Sequence, residues 1–191
     1  MGQGHSLRAV RRGIAALVLV GSTARAEHAT SASPRTGPRA DLSFRYMPSS
    51  STPALGASGE YDWGRFGVGL SFLGTGASSD LGTATLFAIA ALVSFEAFHV
   101  TDTTSFRVQS ELGAAVATGS PNTGAEGSTA TAVHASLSAG LQQVAHLDGG
   151  VDLAWVLGGG FASSLNAEAD NGQRLVGLGG GFVMIAGGVR F

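Results

Sequence analysis

The chain of 191 residues has no cysteine, which excludes a disulfide framework, thiolate metal sites and the lipid-modified cysteine of a bacterial lipoprotein. It has no lysine either: all 11 basic residues are arginine. Four of these (Arg8, Arg11, Arg12, Arg25) lie within the first 26 residues, whereas all 13 acids lie after Ala26, so the chain beyond Ala26 sets seven arginines against 13 acids. Its net charge of −6 makes nucleic-acid binding an unsuitable function. Prolines number only five and hydrophobic residues reach 44%, so the 30 glycines do not signal disordered low complexity. Long hydrophobic runs are also missing. Glycine and polar residues interrupt every apolar stretch, and none reaches the ~20 residues of a membrane-spanning helix. Any membrane attachment must come from the fold itself.

The first 26 residues have the layout of a secretory signal peptide. Arg8, Arg11 and Arg12 form a basic region, residues 13–21 an apolar run of nine, and Ala24-Arg-Ala26 a small-x-small cleavage site. Residues 27–38 are polar, proline-containing and without period, and are expected to form a disordered periplasmic leader.

From Arg39 to Phe191 the sequence alternates with period 2, the signature of strands with one apolar face. The apolar phase reads Leu42, Phe44, Tyr46; Leu55, Ala57, Gly59, Tyr61; and Phe66, Val68, Leu70, Phe72. It continues through Phe87, Ile89, Val93, Phe95; Phe106, Val108, Leu112, Val116; Val133, Leu137, Leu141; and Leu153, Trp155, Leu157, Phe161. The last nine residues close the series with Val183, Ile185, Gly187, Val189 and Phe191. These runs predict eight strands, with loops at 48–53, 74–82, 119–128 and 163–172, turns at 62–65, 99–104 and 145–149, and a terminal strand from about Arg174. An even strand number suits an antiparallel up-and-down transmembrane β-barrel. The apolar phase would face lipid, with aromatic girdles at two levels. Tyr61, Phe66, Phe95, Phe106 and Phe191 fall at the periplasmic level, and Tyr46, Phe72, Phe87 and Phe161 at the outer level. The bland alternative is a secreted β-sandwich whose apolar phase is its core.

Charged and polar residues keep to the other phase and predict a lumen network of Asp41, Arg45, Glu60, Glu96, Arg107, Glu111, His134, Gln142, Asp152 and Arg190. Turn pairing is expected to set Glu96 opposite Arg107 and Asp152 opposite Gln142; Asp41 and Arg190 meet where strands one and eight close. Such a network is expected to fix strand register in a plugged lumen. Inner-phase glycines (Gly67, Gly69, Gly113, Gly140, Gly158, Gly160) leave room for water, so a narrow solute channel is the second reading.

The terminal strand and the strand count resemble the small eight-stranded outer-membrane barrels of the outer-membrane protein A and X type. The resemblance implies a Gram-negative outer-membrane protein, monomeric and in contact with membrane lipid. It also implies that Phe191, Val189, Ile185 and Val183 serve as the signal read by the barrel-assembly machinery. It is architectural and implies no activity. His134-Ala-Ser136 is similar in spacing to the outer-membrane lipid A deacylase family, but Leu137 stands where that family has Asn, and the pair shares the lumen face. The scattered histidines include no HExxH, and the loop acids Asp80, Glu126, Glu168 and Asp170 are too sparse for a calcium site. No cofactor, metal or catalytic residue is expected.

Overall fold

The computed structural model describes residues 36–79, 82–121, 128–164, 166–168 and 174–191. The signal peptide and nearly all of the expected leader lie outside them.

Ten strands run in chain order: β1 (Gly37–Met47), β2 (Thr52–Trp63), β3 (Phe66–Ser79), β4 (Gly82–Thr101), β5 (Thr104–Pro121), β6 (Ser128–His146), β7 (Asp152–Ser163), β8 (Asn166–Glu168), β9 (Arg174–Gly177) and β10 (Gly180–Arg190). Eight of them, β1 to β7 and β10, form one closed barrel in which each strand pairs antiparallel with its neighbours and β10 returns to β1. The two-sheet sandwich therefore does not hold. The 11 residues of β1 and of β10 match the ~9–11 that a tilted strand needs to cross a bilayer.

Alternation of burial follows the alternation of sequence. Leu42, Leu55, Leu70, Ile89, Leu112, Leu137, Leu157 and Ile185, one from each barrel strand, point outward and are 40–72% exposed. A soluble domain rarely exposes more than scattered large hydrophobes. Here they form a continuous belt.

The hairpins differ from expectation in three places. The 74–82 segment is not a loop: β3 and β4 stay paired from Gly74↔Phe87 to Ser79↔Gly82. Likewise β5 and β6 pair as far as Gly119↔Ser128, so only residues 122–127 of that expected loop lie outside the described strands. Thr83, Thr85, Thr118 and Thr129 show why: β-branched hydroxyl residues suit a strand that continues past the apolar belt. The terminal strand begins at Gly180 rather than Arg174, because Arg174–Gly177 pairs with Asn166–Glu168 in a small separate hairpin. At the start, β1 takes in Gly37 and Pro38 from the expected leader. The Gly64–Arg65 turn does join β2 to β3, with Gly64 at φ 64°, the left-handed conformation that such a tight hairpin requires.

Inner glycines do not hold water space. A Cβ on Gly113 would overlap the Ile89 carbonyl of the neighbouring strand, and one on Gly160 the Leu137 carbonyl. These positions let strand backbones approach closely and bend the sheet into a narrow barrel.

Candidate functional site: the charged lumen

The inward phase divides the lumen into two zones. Toward the end that holds Gly37 and Phe191, and the turns after β2, β4 and β6, the inward residues are charged. Toward the far end they are apolar: Met47, Leu73, Leu86, Ala115, Phe182 and Met184 pack into one buried cluster. Leu178, from the link between β9 and β10, is also buried in that cluster and closes it at the top.

In the charged zone three arginines organise the carboxylates. Arg39 donates from Nε and Nη2 to the two oxygens of Asp41, at 2.7 and 2.9 Å, and from Nη1 to Gln142 Oε1. Arg107 donates to Glu60, to Ser94 Oγ at 2.6 Å and to Gln142 Oε1 at 3.3 Å; it also lies 3.5 Å from Asp62 and 3.9 Å from Glu96. Arg190 bridges Asp62 at 3.4 Å and Asp152 at 3.3 Å. Gln142, fully buried, returns its amide N–H to Glu96 at 2.7 Å. Charge-assisted bonds of this kind lower the cost of burying ions, which is prohibitive for an unpaired group.

One layer deeper, Arg45 donates both terminal nitrogens to Glu111, at 2.8 and 2.6 Å, and lies 5.1 Å from the centre of the Phe182 ring. Ser136 Oγ donates to the same carboxylate, and His134 Nε2 lies 3.5 Å from it. Sequence spacing put His134 and Ser136 on one face, and both are indeed in the lumen. The serine hydroxyl is committed to Glu111 rather than to the imidazole, so the arrangement lacks the nucleophile–base hydrogen bond that activates a serine.

All ten expected lumen residues are inward, but two expected pairings do not occur. Across the β6–β7 turn Asp152 faces His146, whose Nδ1 is 2.7 Å away, because the strands pair His146↔Asp152; Gln142 faces Val156 instead. At the closure Arg190 is level with Arg39, not Asp41, so Asp41 is taken by Arg39 and Arg190 turns to Asp62 and Asp152. Glu96 does pair with Arg107 in register. Arg39, Asp62 and Ser94 were missed as members. Their signal was available: Arg39 and Asp62 each continue the inward phase of their strands by one further position, and Ser94 stands in the inward phase of β4 between Leu92 and Glu96.

On the outside, Tyr61, Phe66 and Phe191 are exposed and Phe95 and Phe106 half-buried at the terminal end; Tyr46, Phe72, Phe87 and Phe161 are exposed toward the other end. Trp63 and Phe98 join the first group. Trp63 lies against Tyr61, and Phe98 stacks on Phe106 with ring centroids 5.1 Å apart. A register shift between Glu96 and Phe98 turns Phe98 outward, which simple alternation cannot foresee.

Neither a protein-family model nor a curated protein matches the sequence. Solved structures do match. Neisserial surface protein A (NspA) superposes with a TM-score of 0.52 at 13% identity, over 81% of this chain and 95% of that one. The fold is that of the small eight-stranded outer-membrane barrels. The N-terminal β-barrel domain of Pseudomonas aeruginosa OprF (TM-score 0.48, 13% identity, 82% and 100% covered) and Ail, the attachment invasion locus protein of Yersinia pestis (0.45, 17%, 82% and 100%), are more distant. Within this small barrel, the space between the Arg39–Asp41 and Arg45–Glu111 pairs is a cavity of about 20 Å³. That is room for one or two waters, each needing about 10–15 Å³.

Proposed function

We propose that the protein is an integral outer-membrane barrel of a Gram-negative bacterium, exported by a cleaved signal peptide, non-enzymatic, with a lumen plugged by its own side chains. The observation that carries this reading is the belt of exposed large hydrophobes contributed by all eight strands of a closed barrel. Only a helix or a closed barrel satisfies its own backbone in lipid. The chain acts as a structural or interaction-mediating monomer whose surface-exposed hairpins meet partners, while its belt meets membrane lipid. Val183, Ile185 and Val189 on β10, with Phe191 directly after it, present the outward face by which the barrel-assembly machinery takes it up. With that strand running toward the periplasm, the charged zone lies on the periplasmic side and the apolar plug on the outer side.

Two features support a non-conducting lumen: the apolar cluster capped by Leu178, and the arginine–carboxylate network that spans the barrel below it. Planar-bilayer recording tests this. The expected trace is flat; discrete, reproducible conductance steps would establish the porin-like reading instead. A catalytic role for His134 and Ser136 would show as ester hydrolysis lost on His134→Ala, and no hydrolysis is expected.

A further inference from the structure

The bonds described across the lumen fall into two groups. A mouth group is built on Arg39, Arg107 and Arg190, and a deeper group on Arg45 and Glu111. The cavity of about 20 Å³ lies between them, walled by Arg39 and Asp41 from the first and by Arg45 and Glu111 from the second. Two serines help to make the space. Ser58 on β2 pairs with Asp41 on β1 and with Ser71 on β3, so one row across three strands reads Asp41, Ser58, Ser71. Both serines line the cavity. They are short side chains set among arginine, glutamate and leucine, and they leave a gap that close packing elsewhere in the lumen does not.

One wall carries a donor with nothing to bond. Glu111 takes both terminal nitrogens of Arg45 end-on, and Arg45 Nε is buried without a hydrogen-bond partner, in a residue only 7% exposed. Arg39 differs, since its Nε donates to Asp41. A buried N–H left unpaired forfeits the bond it makes in water, so a partner for it is strongly favoured. Charge and size say what that partner is. Two arginines and two carboxylates wall the cavity, so it calls for no charged ligand. Its volume admits one or two waters, at about 10–15 Å³ each, and nothing larger. Arg45 Nε, the two serine hydroxyls and Asp41 supply the roughly two to four polar contacts that a buried water needs.

We propose that the cavity is a resident-water site. Buried water there accepts from Arg45 Nε and, through the Ser58 and Ser71 hydroxyls, reaches Asp41, so that the mouth group and the deeper group act as one network. Water held in this way is part of the fold, joining groups at nearly the strength of a direct bond. A perturbation at Asp41 is therefore felt at Arg45, although the two side chains belong to different groups. The site requires only a closed barrel and owes nothing to the side of the membrane that the mouth faces.

The test reads the Arg45 Nε–H resonance in nitrogen-edited NOE and ROE spectra of the deuterated protein in detergent micelles. A cross peak with water that has opposite sign in the two spectra marks contact with a long-lived water, and is the expected result. No cross peak, or one of equal sign, which marks proton exchange with bulk solvent or a passing water, would overturn the proposal. Ser71→Val gives a second readout, because it fills the cavity and removes a hydroxyl. The water peak should weaken several-fold and the melting midpoint should fall by several degrees. Filling a dry cavity instead stabilises, so a midpoint that holds or rises would count against the water. Asp41→Asn should shift the Arg45 Nε resonance in the wild-type background and not in Ser71→Val; no shift in the first, or the same shift in both, would sink the linkage. The wild-type spectra require no variant to fold, and gel mobility of each unboiled sample reports separately whether the barrel is closed.

Discussion

Replacing Arg45 by Met should be among the most damaging single changes to this barrel. Arg45 and Glu111 meet through two bonds of 2.8 and 2.6 Å, and their side chains are only 8% and 5% exposed. Methionine fills much of the arginine stem but leaves Glu111 charged and facing Ser136 and His134 alone. Removing one partner of such a buried pair costs about 3–5 kcal/mol. Loss of the guanidinium contact with the Phe182 ring adds about 0.5–2 kcal/mol. A loss near 4 kcal/mol lowers the folding equilibrium constant roughly 10³-fold. Denaturant titration of the barrel in lipid vesicles, followed by fluorescence of Trp63 and Trp155 and by gel mobility, measures it. Adding Glu111→Gln to Arg45→Met removes the stranded charge while keeping an acceptor for Ser136. The double variant should return to within about 1–2 kcal/mol of wild type, since a buried pair replaced as a unit is often close to neutral. A loss below about 1 kcal/mol in Arg45→Met, or a double variant as weak as the single, would refute the view of this pair as a closed, buried network.

Other sites give sharper qualitative outcomes. Leu137→Arg, on the outward face of β6, should cost about 2–4 kcal/mol in a bilayer of ordinary thickness, whereas Leu137→Ala should cost much less, by the same vesicle titration. Gly113→Val should prevent closure, because its side chain would occupy the backbone of Ile89 and Ala90; the unboiled band should then run with the boiled one. Phe182→Ala should cost about 3–5 kcal/mol through the cavity it leaves in the apolar plug, read as a lowered melting midpoint in micelles.

Which face a residue takes was legible from alternation except at the register shift that turns Phe98 outward. Leu42, Phe44 and Tyr46 against Asp41 and Arg45 is a complete statement about inside and outside for β1. Where strands end was less legible. Gly74 to Gly82 carries turn-forming residues, yet the pairing runs through it, because beyond the apolar belt a strand needs only polar, β-compatible side chains. Partner choice across the lumen was least legible. Period 2 places Asp41, Glu60 and Arg107 inside but says nothing about angle around the barrel, so Arg39 reaching Gln142 depends on closure geometry that no local pattern encodes. Neighbours in register were recoverable, as with Glu96 and Arg107; placing the turn two residues too early, at 145–149 rather than 147–151, was enough to put Gln142 in place of His146 opposite Asp152.

The most direct test of a lipid-facing barrel exploits the absence of cysteine. Single cysteines at positions 136 to 141 on β6, each carrying a nitroxide, would be read in lipid vesicles for collisions with oxygen, which concentrates in lipid, and with a polar nickel chelate, which does not. The account predicts strict alternation: positions 137, 139 and 141 accessible to oxygen and shielded from nickel, and positions 136, 138 and 140 shielded from oxygen. Outward positions open to the nickel chelate as freely as a water-exposed turn would contradict it.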